Sequence, residues 1–184
     1  MSNPEILEQR VERLEARLAE VEAVQAIHKL KSRYGQLLDA RYNEQGVVPR
    51  EELERIANAV TALFTEDASW DGGAGLGLCR GHEAIRKRFL EPALKFSWHY
   101  FVKPHIEVNG DRATGTWDIL APCTSRRDRP MWMSGYEDDE YVKQDGVWLH
   151  QSMKLSLVFM APHDRGWAPK KAGGSYGAAS ASST

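Results

Sequence analysis

The sequence predicts an α+β fold in which helices pack against a curved, mostly antiparallel sheet. In the first half of the chain, apolar residues recur with the spacing of amphipathic helices. From Trp98 onward the period changes to two, and turn sequences such as Asn109-Gly110-Asp111 and Gln144-Asp145-Gly146 separate the alternating segments. Helices followed by a run of hairpin-connected strands is the order typical of α+β domains.

The first element is predicted to be one long helix over residues 4–42. Its beginning carries apolar residues in heptad steps, flanked by Glu and Arg: Leu7, Val11, Leu14, Leu18 and Val21. From Val24 the apolar stripe broadens, as expected where a helix begins to pack on a sheet. We therefore divide the chain into a heptad-patterned helix (1–23) and a globular domain (24–165). The heptad seam suggests an oligomer tail or a strap across a neighbouring subunit, and a helix lying on its own domain is the alternative.

Pro and Gly residues mark the boundaries of the next elements. A helix is predicted from Pro49 to about Phe64, a first strand at 68–71 and another helix at 81–95. The glycine-rich segment 72–77 has neither a phosphate-binding lysine nor a dinucleotide fingerprint, so it is predicted to be a loop over a cavity.

The second half is predicted to be four strands and a tail. Pro104 lies inside the first of these strands and predicts a bulge or a sheet edge. The tail, 166–184, is dominated by Gly, Ala, Ser and Lys and is predicted to be disordered. The predicted strands are 98–108, 112–122, 131–142 and 148–160.

Composition excludes several function classes. A net charge of −2 gives no electrostatic reason to expect nucleic acid or an acidic membrane as a partner. Two cysteines, Cys79 and Cys123, fit neither a disulfide framework nor a zinc cluster, and the histidines lack metal-ligand spacing. No apolar run reaches membrane-spanning length and the first residues do not resemble a signal peptide, so a cytoplasmic protein is expected.

Three polar residues are candidates for proton transfer. Tyr34 and Asp39 are five positions apart on the first helix and diverge by about 140° around its axis, yet near a helix end both can lean over one cavity. His99, from a strand, would complete a set of carboxylate, imidazole and phenol. Each also has an ordinary structural interpretation: a core or surface histidine, a carboxylate at a helix end, and a packed tyrosine ring.

Aromatic residues on the predicted strands are candidates for substrate contact. Trp117 and Trp132 are the preferred cavity walls, with Trp70 and Tyr100 as further candidates. The acidic run Glu137 to Glu140 would divide between the two faces of a strand and is predicted to be solvated edge charge, with an inward-facing member left open.

Four motifs together carry a resemblance to a known family. They are Tyr34-x4-Asp39, Ala62-Leu-Phe-Thr-Glu-Asp-Ala-Ser-Trp70, Gly81-His-Glu-Ala-Ile-Arg86, and the paired segments from Ser134 to Trp148. Over about residues 24–160 the chain resembles the SnoaL-like branch of the nuclear transport factor 2-like superfamily. The resemblance implies a cone-shaped barrel with the helices packed in the curved sheet.

Within that branch the chain is most similar to cofactor-independent lyases such as bile-acid 7α-dehydratase, scytalone dehydratase and hexachlorocyclohexane dehydrochlorinase. Tyr34, Asp39 and His99 match the positions of their acid, orienting carboxylate and base. A last-strand arginine of some members has no match, because Met153, followed by Lys154, stands at the aligned position; both are expected to contact substrate. The chain also resembles lyases of the same superfamily that release formaldehyde from lignin-derived dimers.

The expected activity is therefore a lyase without cofactor or metal, acting on a small aromatic or polycyclic hydroxylated substrate. The resemblance also implies a homo-oligomer, with a trimer favoured. Two alternatives remain open. One is an assembly subunit like the β subunit of ring-hydroxylating dioxygenases; the other is a small-ligand binding module or an isomerase resembling ketosteroid isomerase, which would need a carboxylate base and a tyrosine donor but not His99.

Overall fold

The computed structural model describes residues 3–164 and Gly166. Apart from Gly166, the predicted disordered tail lies outside the described residues. The helices are α1 (Asn3–Asp39), α2 (Arg50–Thr61), α3 (Gly73–Leu76) and α4 (Gly81–Phe89). The strands are β1 (Tyr42–Asn43), β2 (Gly46–Val47), β3 (Phe64–Asp71), β4 (Leu78–Arg80), β5 (Phe96–Ser97), β6 (Tyr100–Asn109), β7 (Arg112–Thr124), β8 (Pro130–Gln144) and β9 (Val147–Pro162).

The principal sheet confirms the α+β prediction. Its strand order is β4-β3-β9-β8-β7-β5, and β6 also pairs with β7. All pairings are antiparallel except β3 with β9. The sheet curls around the second half of α1 together with α2 and α4, in the half-barrel of a cone-shaped fold.

Helix α1 is continuous but has two different environments. Its second half is buried against the sheet, whereas the predicted heptad seam is about half exposed in this chain. The seam therefore does not pack on the described part of its own domain, and its role in an oligomer stays a prediction. The helix approaches β6 closely at Gly35, where an added Cβ would lie 3.2 Å from the Phe101 ring.

The short helices complete the apolar core. Helix α2 buries Leu53, Ile56 and Val60 on one face, and these pack with Phe64 and Phe89. Helix α4 ends at Phe89, earlier than predicted, because the Glu91-Pro92 step disfavours helical backbone. The glycine-rich segment contains the four-residue helix α3 instead of being an open loop.

Two irregularities set which strand residues face the core. In β6 the register shifts between Val102 and His105, as Pro104 predicted, and Lys103 between them has φ of 49°. In β9 a bulge at Gln151 shifts the alternation, so that both His150 and Met153 face inward. Without that bulge, Lys154 instead of Met153 would have faced the core.

None of the helices in the described part of the chain combines the length and apolar composition needed to cross a bilayer.

Candidate active site

A cavity of about 90 Å³ lies between the end of α1, helix α4 and the concave face of the sheet. Its walls are largely apolar, with a few polar groups that include both cations and a carboxylate, which is the usual composition of a small-molecule site. Among the apolar lining residues are Leu38, Trp70, Phe89, Ile119, Met133 and Leu155. The polar and charged lining includes Tyr34, Arg41, Arg88, His99 and Glu137.

The structure brings His99 and Asp39 into direct contact. One carboxylate oxygen, Asp39 Oδ1, accepts the backbone N–H of His99 at 3.0 Å and lies 2.7 Å from its Nδ1. The His99 side chain is 7% exposed and the Asp39 side chain is 11% exposed. With Nδ1 donating to the carboxylate, Nε2 is the nitrogen left with a lone pair for a ligand.

Local backbone structure explains why this pair forms. Ser97 pairs with Cys123 and Tyr100 pairs with Leu120, so His99 lies at a break between β5 and β6 where its N–H can reach α1. A carboxylate at a helix C-terminus is disfavoured by the helix dipole. Asp39, the last residue of α1, is compensated by the two hydrogen bonds from His99.

Tyr34 lies in the same cavity and is fully buried. Its hydroxyl oxygen accepts the indole N–H of Trp70 at 3.0 Å, which leaves its own hydrogen available to donate. Burial, and next the charge of Glu137, raise the pKa of Tyr34 well above its usual value. Tyr34 is therefore a neutral donor across the physiological pH range.

Two arginines, which the sequence analysis did not select, bring positive charge to the cavity. Arg41 is 8% exposed, donates through Nε to the carbonyl of Leu38 at 3.0 Å and lies over the rings of Tyr42 and Phe89. Burial lowers the pKa of Arg41 from its very high ordinary value. Arg88, from α4, donates to the carbonyl of Glu91. Cationic groups are thus provided from the helical side of the cavity, without a last-strand arginine.

A buried ion cluster lies beside the cavity and was also missed. The Lys31 ammonium is 2.6 Å from Glu137 Oε2 and 2.6 Å from Asp139 Oδ2, and all three residues are almost fully buried. Burial opposes the charge on Lys31, but the two carboxylates outweigh it and raise the pKa of the ammonium. Its Nζ also lies 4.6 Å from the centre of the Phe101 ring, which is stacked on the ring of His99 and also contacts the ring of Tyr34.

The cluster continues away from the cavity through Asp139. The Trp117 indole donates to Tyr141 Oη at 2.9 Å, and Tyr141 donates to Asp139 Oδ2 at 2.7 Å. Burial raises the pKa of Asp139 to about 6 despite its contact with Lys31. His150 is fully buried with neither ring nitrogen bonded among the described residues, and burial lowers its pKa well below the usual range.

The sequence contained a signal for this cluster. Lys31 follows Ile27 by four positions and precedes Tyr34 by three, which places it on the buried stripe of α1. Glu137 and Asp139 are in phase with the inward-facing Tyr141 on β8. The predicted solvated edge is therefore wrong for these two acids, because a buried lysine on the facing helix compensates them.

Of the six predicted substrate-contact residues, only Trp70 lines the cavity. Trp117 faces inward but packs against α1 away from the cavity, and Met153 is in the apolar core. The remaining three lie on the outer side of the sheet, because each is out of phase with the inward-facing residues of its segment. They are Tyr100, which is 50% exposed, Trp132, whose indole donates to His163, and exposed Lys154.

Among the residues that the structure describes, no group of three or more His, Cys, Asp and Glu side chains could hold a metal ion.

Solved structures with this fold cover most of the chain. A hexachlorocyclohexane dehydrochlorinase (LinA type 2) is 21% identical with a TM-score of 0.62, over 83% of this chain and 92% of its own. A candidate aromatic ring hydroxylase from Novosphingobium aromaticivorans is 20% identical with a TM-score of 0.63, over 77% and 94%. A candidate scytalone dehydratase from Novosphingobium aromaticivorans DSM 12444 is 20% identical with a TM-score of 0.62, over 77% and 87%. At these identities the likeness establishes the fold alone.

Sequence comparison gives the family. No curated protein matches the chain. The SnoaL-like domain matches residues 54–154, which is more than half of the chain and includes His99, β7 and β8. The chain belongs to the SnoaL-like domain family.

Proposed function

We propose that the protein is a cofactor-independent lyase in which the His99–Asp39 pair removes a proton from a hydroxylated aromatic substrate. The observation that carries this proposal is the 2.7 Å contact between His99 Nδ1 and Asp39 Oδ1 at the wall of a largely apolar cavity. A carboxylate that holds one imidazole nitrogen fixes the tautomer and stabilises the imidazolium that forms when the other nitrogen takes a proton.

In the proposed reaction His99 Nε2 is the general base, a role that typically contributes ~10²–10⁴-fold to the rate. In the dehydratase form the proton comes from a C–H group and water leaves from the adjacent carbon. In the formaldehyde-releasing form the proton comes from the O–H of a hydroxymethyl group, and that O–H electron pair becomes the C=O bond of the departing formaldehyde. The pair from the broken carbon–carbon bond is delocalised into the conjugated system of the substrate, and the remaining carbon is reprotonated, as in a retro-aldol cleavage. Asp39 has the same role in both forms.

Departure of the leaving group is assigned to Tyr34 and Arg41. The buried Tyr34 phenol can donate a hydrogen bond to a departing oxygen, because its own oxygen is already supported by Trp70. The Arg41 guanidinium, held over two aromatic rings, places a fixed positive charge on the helical side of the cavity. Preorganised donors of this kind stabilise developing negative charge without reorganisation.

Cavity size limits how much of a substrate the enclosed space can hold. The cavity is smaller than an apolar space known to bind benzene, so even a single-ring ligand would extend toward its mouth and a polycyclic ligand would extend through it. The partly exposed lining residues Tyr42, Leu76 and Leu94 mark that mouth.

The isomerase alternative has one specific observation in its favour. Glu137 and Tyr34 line the same cavity, so a carboxylate base and a phenol donor coexist there without His99. Against it, Glu137 Oε2 is already bound to Lys31, whereas His99 Nε2 accepts no hydrogen bond from the described residues. An isomerase of this kind would keep its activity in a His99→Ala variant.

The proposal is tested by assaying wild type, His99→Ala and Asp39→Asn on a panel of hydroxylated aromatic dimers, single-ring benzylic alcohols and hydroxysteroids. Mass spectrometry would detect loss of water or of formaldehyde. We expect turnover by wild type and a loss of at least about 100-fold in both variants. Equal turnover by all three proteins would refute the assignment of the base, and no turnover of any substrate would favour the assembly-subunit alternative.

We also propose that the protein is a cytoplasmic homo-oligomer, with a trimer favoured. Support comes from large apolar residues exposed on the outer side of the sheet, including Val102, Leu120, Tyr136 and Leu157, together with the exposed seam of α1. An apolar surface of this extent is unusual for a monomer. Light scattering coupled to size exclusion would measure the mass, and a monomer at micromolar concentration would contradict the proposal.

A further inference from the structure

Glu137 is a buried carboxylate that the proton-abstraction mechanism does not use. It is 3% exposed and lines the cavity from β8, whereas His99 lies at the break before β6. Its Oε2 atom is fixed by the Lys31 ammonium at 2.6 Å. Its other oxygen, Oε1, takes part in no hydrogen bond with the described residues.

This arrangement differs from that of the second carboxylate on Lys31. Asp139 makes the same 2.6 Å contact with the ammonium, but its Oδ2 also accepts Tyr141, and Asp139 does not line the cavity. Lys31 therefore compensates two carboxylates, of which only Glu137 faces the space that a ligand can enter. Asp139 Oδ1 is fully enclosed without a hydrogen-bond donor among the described residues, but Asp139 does not line the cavity. Glu137 Oε1 is not fully enclosed, so a ligand in the cavity that supplies an O–H or N–H can donate to it.

We propose that Glu137 Oε1 is the substrate-anchoring acceptor of this cavity and selects ligands that carry a hydroxyl group on an aromatic ring. The hydroxyl of the inserted ring donates to Oε1, and Lys31 holds the carboxylate in position from the opposite side. The inference deepens the proposed function by assigning a determinant of substrate class, and it rests on that function only in taking this cavity as the substrate site.

The chemical consequence is discrimination between a hydroxyl and a group of the same size that cannot donate. Phenol and toluene differ by O–H against CH₃ at nearly equal volume. A hydrogen bond to a charged group favours phenol in this site, by about 10-fold or more in Kd.

The test measures Kd for phenol and for toluene, by ligand-observed NMR, with wild type, Glu137→Gln and the matched control Asp139→Asn. Both variants remove one of the two carboxylate partners of Lys31, but only the first changes the lining of the cavity. We expect wild type and Asp139→Asn to prefer phenol by about 10-fold or more, and Glu137→Gln to lose most of that preference.

Three results would overturn the inference. They are no preference for phenol in wild type, one preference shared by all three proteins, and a loss of the preference in Asp139→Asn as complete as in Glu137→Gln. The last result would mean that the ion cluster, and not contact with Glu137, sets the preference.

A measurement on wild type keeps the inference falsifiable if Glu137→Gln does not fold. In crystals of the unmodified protein soaked with phenol, the phenol oxygen should lie within about 3.2 Å of Glu137 Oε1. A phenol in the cavity whose oxygen points elsewhere would overturn the inference. Neither readout involves turnover. Either can therefore fail while the His99 variants still lose activity, and either can succeed while those variants keep their activity.

Discussion

Replacing Lys31 by Met is the perturbation with the largest expected effect on stability. Lys31 is 1% exposed and is the shared partner of Glu137 and Asp139, each at 2.6 Å. Met has a similar length but leaves two buried carboxylates without their counter-ion. Removal of one partner from a buried ion pair costs about 3–5 kcal/mol, and here two acids lose the same cation. For a chain of this size such a loss lowers Tm by about 10 °C or more.

The effect should depend on pH in a definite direction. Without the ammonium, the buried carboxylates bind protons more tightly in the folded state than in the unfolded state, so the folded variant loses stability as pH rises through the range in which they ionise. The free energy of unfolding, measured by urea denaturation at pH 5 and pH 7.5, should therefore show a larger wild-type advantage at pH 7.5. The control is Arg50→Ala, which breaks the exposed pair with Glu54 and should cost below about 1 kcal/mol. A Lys31→Met loss as small as that of the control, or one independent of pH, would refute the reasoning.

Three further predictions concern other parts of the molecule. Because the pKa of Asp139 is raised to about 6 by burial, wild type loses stability as pH rises from about 4 to 6. Its stability relative to Asp139→Asn, followed by urea denaturation across this range, should fall by up to about 3 kcal/mol, and a flat difference would contradict the assignment. Tyr34→Phe and Tyr141→Phe each leave a tryptophan N–H unpaired and should cost at least about 1–3 kcal/mol, with Tyr141→Phe the more costly because it also removes the hydrogen bond to Asp139. Only Tyr34→Phe should lower kcat, and equal kcat values would remove Tyr34 from the mechanism. The double variant Leu14→Glu, Leu18→Glu should have a lower mass by light scattering if the seam joins subunits, and an unchanged mass would exclude a role of the seam in oligomerisation.

The sequence was sufficient to predict the fold and the contact between Asp39 and His99, because both follow from local patterns and family motifs. The change from helical spacing to alternation located the long strands to within a few residues, and Pro104 marked the bulge in β6. Asp39 and His99 meet because a helix end and a strand break face each other, which the spacing of Tyr34 and Asp39 and the family motifs together indicated.

The rest of the site depends on contacts between distant segments, which local patterns alone do not establish. The bulge at Gln151 decides that Met153 faces inward and Lys154 outward, and no turn residue signals it. Glu137 and Asp139 become core residues only because Lys31, more than a hundred positions away, lies opposite them. Charged residues on a strand are usually exposed to solvent, but that expectation fails where the tertiary structure places a buried counter-ion opposite them.

The proposed function depends on His99 more than on any other residue. The most direct test is kcat/KM of His99→Ala relative to wild type, measured on the best substrate of the panel with ligand binding determined in parallel. We predict a fall of at least about 100-fold in kcat/KM with binding retained, because only the general base is removed. Turnover within a few-fold of wild type would contradict the assignment of His99–Asp39 as the proton-abstracting pair.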